Sequence, residues 1–596
     1  MNILLTAINA KYIHSNLAVY SLRACAGEYR DAVELAEYTI NNQKDYILEE
    51  LYKRKPDVLC FSCYIWNIDY VTDIAREYKK LCPSVPIWVG GPEVSYEVEA
   101  FLRENPYIDG VMIGEGEDTF RELCGYYAHK KSLIDIAGIV FRKKSADGKA
   151  GEIVFTSPRP IKNMSEIPFC YDTLDDFSNR IIYYESSRGC PFSCSYCLSS
   201  VDKTLRFRDT EIVKRELKFF IDQKVPQIKF VDRTFNCNHA HAMELWRFIK
   251  ANDNGVTNFH FEISADLLNQ EELKLISDMR PGLIQLEIGV QSTNEVTIKE
   301  IHRTMKLERL KEVVKLIQSG NNIHEHLDLI AGLPYEDYDS FGRSFDEIYE
   351  LKPNQLQLGF LKVLKGSYMF EHAAEYGIVY HDKPPYEVMS TKWLSFDDVI
   401  KIKRVEDMLE VYYNSGQFEI TMKLMECIFD SAFEFFQELG DFYEAKGYFG
   451  MSHSRIRRCE ILLEFLALYL HGCDSDAMTS VGLSENHGDR DNTDFDENAQ
   501  IYSMIQESLI FDLYYRENCK SRPVWATDIG SFKHMTHAYC KNGKLSHVEP
   551  FHYIFPDKHT RKLDELPKYH KEPVWALFHY DMRDPLDHQA LVEYIE

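Results

Sequence analysis

No apolar run in the 596-residue sequence reaches the roughly 20 residues that a membrane-crossing helix needs, so no spanning segment is expected. The N-terminus lacks the charged-then-apolar pattern of a secretory signal, and MNILLTAINAKYI reads instead as a first strand. Positive charge is in short supply: 68 Lys and Arg stand against 94 Asp and Glu, a formal net charge of -26. A surface so acidic repels phosphate backbones, which argues against a broad nucleic-acid footprint, although a local basic groove stays open. Internal repeats and low-complexity tracts are also missing. A cytoplasmic protein without membrane contact is therefore expected, and in that compartment fifteen cysteines stay mostly reduced. Clustered cysteines then point to metal before disulfide. Length allows three or four domains, and 45% hydrophobic residues suffice for several cores.

Residues 1–128 alternate short apolar runs (NILLTAI, VELAEYTI, DVLCFSCYI, PIWVGG, GVMIG) with amphipathic stretches such as YVTDIAREYKKLC. Such alternation predicts an α/β, doubly wound parallel sheet, with ligands at the carboxyl ends of its strands. Residues 129–178 read as a connector with a hairpin, GIVFRK and GEIVFTS around SADGKA. In residues 179–370 the alternation returns. Six strand candidates (IIYYESS, QIKFVD, FHFEISA, LIQLEIGVQS, IHEHLDLIAG, QLQLGFLKV) predict an open, partial (β/α)6 barrel with active groups at the strand ends. Residues 371–596 are expected to be mostly helical. Ser395 followed by an acidic turn marks one helix start. The aromatic-rich stretch CIFDSAFEFFQELGDFYEAKGYFG fits helix cores at i, i+3, i+4 spacing. The acidic stretch 474–498 has no periodicity and reads as a loop, and the His-rich tail suits short strands.

SRGCPFSCSYC places Cys190, Cys194 and Cys197 in a C-x3-C-x2-C pattern. Fifteen cysteines scattered at random would give that triplet somewhere in about one chain in a hundred. A zinc site would want a fourth ligand from a second knuckle, and only the lone Cys237 follows within forty residues. A disulfide leaves one cysteine over. Three thiolates on one loop suit three corners of an iron–sulfur cube with one iron left open. Cys60 and Cys63 are also spaced C-x2-C, but within an apolar strand whose successive side chains face opposite ways, which makes them poor joint ligands.

The triplet after the first barrel strand, with Tyr196 before its last cysteine, resembles the radical SAM superfamily, and SRGCPFSCSYC is similar to the cobalamin-dependent branch. The resemblance implies a 4Fe-4S cluster on Cys190, Cys194 and Cys197, S-adenosylmethionine on the open iron, and reductive cleavage to a 5′-deoxyadenosyl radical. It places Tyr196, Asp232, Ser264, Glu287, Gln291, Gly332 and Leu333 around S-adenosylmethionine, with Glu262 facing the same site or its wall. The branch usually carries two acids at the end of the second strand; here Arg233 follows Asp232. The N-terminal domain resembles the branch's cobalamin-binding domain. That implies cobalamin walls from Ser62, Gly90, Gly91, Gly114, Glu115 and Gly116. His14 falls where a cobalt-binding histidine would, but Tyr12 and Leu17 replace the usual Asp and Gly of that motif. The C-terminal third looks like an uncharacterised domain that follows some of these barrels.

The resemblance implies an enzyme, a methyltransferase acting at an unactivated carbon or phosphorus, with an unknown substrate and an external electron donor such as flavodoxin or ferredoxin. Two other readings stay open. One is a methylthiotransferase acting on RNA, with a second cluster on Cys25, Cys60 and Cys63. The other is a non-catalytic cobalamin or redox sensor.

Overall fold

Unbroken apolar runs build the first sheet of the computed structural model, which describes residues 1–143, 151–201, 203–471, 493–540, 545–556, 560, 563 and 565–595. Strand β1 (Ile3–Asn9) is buried along its whole length. It pairs in parallel with β2 (Val33–Thr39) on one side and β3 (Val58–Ser62) on the other, and β4 (Ile87–Gly90) and β5 (Gly110–Met112) continue in parallel. Helices α1 (Leu17–Cys25), α2 (Lys44–Arg54), α3 (Ile68–Leu81), α4 (Val98–Glu104) and α5 (Gly116–Tyr127) cover both faces. α1 and α5 share one core with Ile3, Leu5 and Ala7; α2, α3 and α4 share the other with Leu4 and Ile8. Two covered faces explain why these strands read as continuous hydrophobic runs. In α3, Ile68, Val71, Ile74, Ala75 and Tyr78 form one buried stripe at helical spacing.

The predicted hairpin forms, but it is not a detached connector. β6 (Ile139–Arg142) pairs antiparallel with β5, and β7 (Ile153–Phe155) with β6, so the pair completes the first sheet. Unpaired N–H and C=O groups on the β5 edge explain the extension. The hairpin's expected turn, 144–150, lies outside the described residues.

The second sheet is parallel throughout: β8 (Ile182–Tyr184), then, after a two-residue antiparallel ladder of β9 (Ser187–Arg188) with β10 (Arg206–Phe207), β11 (Gln227–Phe230), β12 (Asn258–Ile263), β13 (Ile284–Gln291), β14 (His324–Ala331) and β15 (Gln355–Phe360). β8 and β15 are its two edges, so the barrel closes only partway. Along β13 buried and half-buried residues alternate without a break. Outward residues such as Leu286, Ile288, Leu327 and Leu329 are sealed under helices. Inward residues fall in layers set by register. Tyr183, Lys229, His260, Gln285 and His324 form one row, Glu262, Glu287, His326 and Gln355 the next, and Gly289, Asp328 and Gln357 a third.

The last third is helical, with two small sheets. β16 (Val379–Tyr380) and β17 (Val388–Ser390) form a hairpin, and β18 (Ser546–Phe551), β19 (Val574–Arg583) and β20 (Ala590–Ile595) form an antiparallel sheet. The helix Phe396–Leu409 starts at the predicted Ser395, whose hydroxyl accepts from Asp398 N at 3.2 Å while the Asp398 carboxylate accepts from Ser395 N at 3.1 Å. The aromatics of 433–443 are core: Phe433 packs at 5.5 Å from Phe345 of the barrel helix Tyr338–Tyr349, which joins the two domains in one hydrophobic cluster. Residues 474–492 of the expected acidic loop lie outside the described residues, whereas 493–498 open the helix Thr493–Arg516.

Candidate active site

The loop after β8 is held from beneath by Asp232. Its carboxylate accepts from Ser186 N at 2.9 Å, from Ser186 Oγ at 2.7 Å and from Ser187 Oγ. Burial pushes this carboxyl up to about 7, against those hydrogen bonds. Gly189, at φ +91°, follows; a Cβ there would lie 2.6 Å from the Thr204 carbonyl oxygen. Cys190, Cys194 and Cys197 then line a single cavity of about 180 Å3. The cavity wall contains no further cysteine and no histidine. Among the described residues no three His, Cys, Asp or Glu side chains are grouped to hold a single metal ion. Three cysteines on one short loop are the ligand set of an iron–sulfur cluster.

Arg303 was not singled out by sequence. Its guanidinium donates to Tyr196 Oη at 3.2 Å and to the Gly289 carbonyl, and points at Cys194 Sγ from 3.8 Å. The motif LEIGVQS is locally irregular. The pairing of β13 with β14 slips between Gly289 and Gln291, and Gln291 sits at φ +76°. Its amide folds back so that Nε2 would lie 2.4 Å from a Cβ at Gly289. Gln291 Oε1 is buried, with no partner in the structure. Bulged, strained backbone carrying an unpaired acceptor into a cavity is typical of a ligand site.

The cavity is lined by Tyr196, Glu262, Ser264, Glu287 and Gln291, all singled out in the sequence, together with Arg303 and Asp328. Ser264 Oγ donates to Asp266 at 2.7 Å. Glu287 accepts from Lys229 Nζ at 2.9 Å and lies 2.9 Å from His260 Nε2. Burial would raise its carboxyl, but those two partners hold it down at about 2. Burial instead raises Glu262 and Asp328. Three expected residues do not line the cavity. Asp232 is turned to Ser186 and Ser187, and the next residue, Arg233, faces the cavity in its place. Leu333 is wholly buried, and a side chain at Gly332 would strike Val388 Cγ1 at 2.6 Å.

A second cavity, about 640 Å3, lies where the first sheet meets the barrel. That size falls within the range of small-molecule sites. His14, Ser62, Gly90, Gly91, Gly114 and Gly116 line it. His14 Nδ1 hydrogen-bonds the phenol of Tyr183 at 2.7 Å. Burial, with Lys11 and Lys229 nearby, lowers the pKa of the imidazole. The hydrogen-bond partner of His14 is thus a barrel tyrosine 169 residues away in the chain. Gly91 is required by contact: at φ +123° a Cβ would lie 2.4 Å from the Cys63 carbonyl oxygen. Gly114, at φ +75°, faces open space. Glu115 does not line the cavity; it pairs with Arg206 at 2.6 Å and accepts from Lys162 N, and Glu117 takes the wall position. Tyr64 and Trp66 stack at 4.5 Å on the same wall.

Family models match three stretches: a B12 binding domain over residues 3–124, the Radical SAM superfamily over 184–348, and a protein of unknown function (DUF4080) over 374–589. The chain is 28% identical over 346 residues to the cobalamin-dependent radical SAM methyltransferase TokK of Streptomyces tokunonensis, covering 55% of this chain and 49% of that one. It is 26% identical over 315 residues to hopanoid C-3 methylase of Methylococcus capsulatus, covering 51% and 58%. This chain thus spans about half the length of the curated relatives it matches. The solved cobalamin-dependent S-adenosylmethionine radical enzyme OxsB, with aqua-cobalamin and S-adenosylmethionine bound, shares the fold at a TM-score of 0.54 and 16% identity, over 86% of this chain and 80% of that one. The methyltransferase TsrM from Kitasatospora setae, with cobalamin and a [4Fe-4S] cluster, aligns at a TM-score of 0.52 and 17% identity, over 65% and 82%. The two cavities fit the groups these domains hold: three thiols and an unpaired amide acceptor for a cluster and S-adenosylmethionine, a glycine-walled cleft for cobalamin. The chain thus carries a B12 binding domain, a Radical SAM superfamily domain and a DUF4080 domain, in that order.

Proposed function

We propose that the chain is a cobalamin-dependent radical SAM enzyme that methylates an unactivated carbon. One observation carries this reading: Ser199 and Arg233 belong to the walls of both cavities, so the two sites adjoin. A substrate atom held at that junction is reachable from both sides, and position supplies much of catalysis.

When bound, the cluster and S-adenosylmethionine supply a 5′-deoxyadenosyl radical and cobalamin supplies a methyl group. The chain's own residues do the rest. Cys190, Cys194 and Cys197 would hold three irons of the cluster, with the Arg303 guanidinium 3.8 Å from Cys194 Sγ. Tyr196, Ser264, Glu287 and Gln291 bind the sulfonium cofactor, the unpaired Gln291 Oε1 being free to accept from it. Asp232 fixes the cysteine loop from below. His14, Ser62, Gly90, Gly91, Gly114 and Gly116 wall the cobalamin. An electron enters from flavodoxin or ferredoxin. Every described cysteine is free, which suits the reducing cytoplasm. No helix among the described residues is long and apolar enough to cross a membrane.

The methylthiotransferase reading loses support from the first sheet. Cys60 belongs to one of its cores and Cys63 to the other, so the two thiols cannot meet at one cluster. Anaerobic reconstitution followed by reduction is expected to give about four irons and one cobalt per chain, and 5′-deoxyadenosine from S-adenosylmethionine. About eight irons without cobalt would restore the methylthiotransferase. Full loading without any deoxyadenosine would leave only a sensor.

A further inference from the structure

The barrel lumen differs from that of a closed eight-stranded barrel. Inward layers of such barrels are ordinarily filled by branched apolar side chains, which make the interior a packed core. Here, below the cluster, the three layers carry Lys229, three histidines, three carboxylates and glutamines, and no aliphatic side chain. They are not fully consumed by each other. His324 Nδ1, on the deepest row, is buried without a partner. A hydrocarbon in this space would strip water from these groups and return no hydrogen bonds. A ligand with its own donors and acceptors would satisfy them.

The second observation concerns charge. Four arginines line the two cavities: Arg188, Arg208, Arg233 and Arg303. Arg188 is paired with Glu117 and Glu185, Arg208 with Glu216, and Arg303 is bound to Gly289 and Tyr196. Among the described residues the Arg233 guanidinium has no hydrogen bond and no ion pair, and the residue is exposed and lines both cavities. Its charge is felt by Tyr64 on the cobalamin side and by Glu262 in the lumen. An uncommitted guanidinium presents a planar donor fork matched to carboxylate and phosphate oxygens.

We propose that the lumen takes a water-soluble, hydrogen-bonding substrate whose anionic group, a carboxylate or a phosphate, is held by Arg233 at the junction of the two cavities. This rests on the proposed function and narrows it to a substrate class. The atom to be modified then lies close to the anionic end of that molecule.

The test uses the full-length, reconstituted enzyme and S-adenosylmethionine labelled in its methyl group, offered separately the aqueous phase and the chloroform–methanol phase of an extract of the producing organism. Label is expected in an aqueous product retained by anion-exchange resin; alkaline phosphatase then separates the sources, releasing a phosphate ester but not a carboxylate from the resin. Label in the organic phase, or in an aqueous product that passes the resin, overturns the proposal while leaving the proposed function standing. Absence of 5′-deoxyadenosine takes down both. Arg233→Gln is expected to lower labelling at least tenfold, with Arg233→Lys recovering part of it. Equilibrium dialysis of labelled S-adenosylmethionine against Arg233→Gln separates the rival role: a tenfold loss of cofactor binding would move Arg233 to the cofactor and overturn the assignment.

Discussion

In the first sheet β1 buries all seven of its residues; in the second, β13 buries every other one. Both sheets are parallel, and both are wrapped in helices. They differ in what lies on the inner face. Helices close both sides of β1, so Leu4 and Leu5 are equally dry. β13 has helices on one side and an open lumen on the other, so Leu286 is sealed while Glu287 is half-buried. The lesson concerns function as much as packing: the first sheet presents its chemistry only at strand ends, around Ser62 and Gly90, whereas the second presents chemistry along whole strands.

The largest expected difference separates two buried cysteines. Cys194→Ser removes one of three ligands and is expected to abolish iron–sulfur absorbance and all cleavage of S-adenosylmethionine. Cys60→Ser, in the wholly buried core of the first sheet, is expected to keep the cluster and lose about 1–3 kcal/mol of stability, the cost of a buried hydroxyl without a partner. Iron analysis with denaturant unfolding reads both. A Cys194→Ser protein with wild-type iron would end the assignment of the cluster.

A smaller contrast compares strand interiors. Leu59→Ala, on β3 between two packed faces, should cost about 2–5 kcal/mol. Gln285→Leu faces the lumen and should change stability by no more than about 0.5 kcal/mol. Equal costs at the two positions would mean that the lumen is a packed core after all, and would remove the room in which a substrate is placed.

Much of this was legible in the sequence because hydrophobic period is a local signal. All eleven parallel strands carry runs that can be read directly, and Ser395 marks its helix by a cap that needs four residues. The cysteine triplet is equally local. What escaped depends on contacts far apart in the chain. Nothing in FVDRTF tells that Asp232 turns back to Ser186 while Arg233 faces the cavities; that is decided by how the strand end twists against the cysteine loop. Tyr183 meets His14 across 169 residues, and Arg303 reaches Cys194 across 109. The polar layers of the lumen are written as alternation in QLEIGVQ and HEHLDL, but only strand register turns separate alternations into one surface. The hairpin of β6 and β7 was readable as a hairpin; its membership of the first sheet was not, because an unpaired edge leaves no mark in the sequence.

The finest test of the contrast is a titration within the lumen. Glu287 sits well below its ordinary value of 4.5, at about 2, held there by His260 and Lys229 against the effect of burial. A carboxylate depressed on folding contributes stability that is complete above its unfolded value and is lost as pH falls through the folded one. The window therefore runs from about 4.5 down to about 2. The shift corresponds to a contribution on the order of 2 kcal/mol at pH 7, once the partial hydration of the pair is allowed for. Glu287→Gln should thus be less stable than wild type at neutral pH, and the gap should narrow steadily below pH about 4.5, because acid removes from the wild type what the substitution has already removed. Denaturant midpoints of the two proteins, compared at neutral and acid pH, read the difference directly. A gap that stays constant would mean that Lys229 and His260 do not hold an ionised Glu287. A core position of the first sheet such as Leu59 has no titrating group to lose, so its cost should not share this pH dependence.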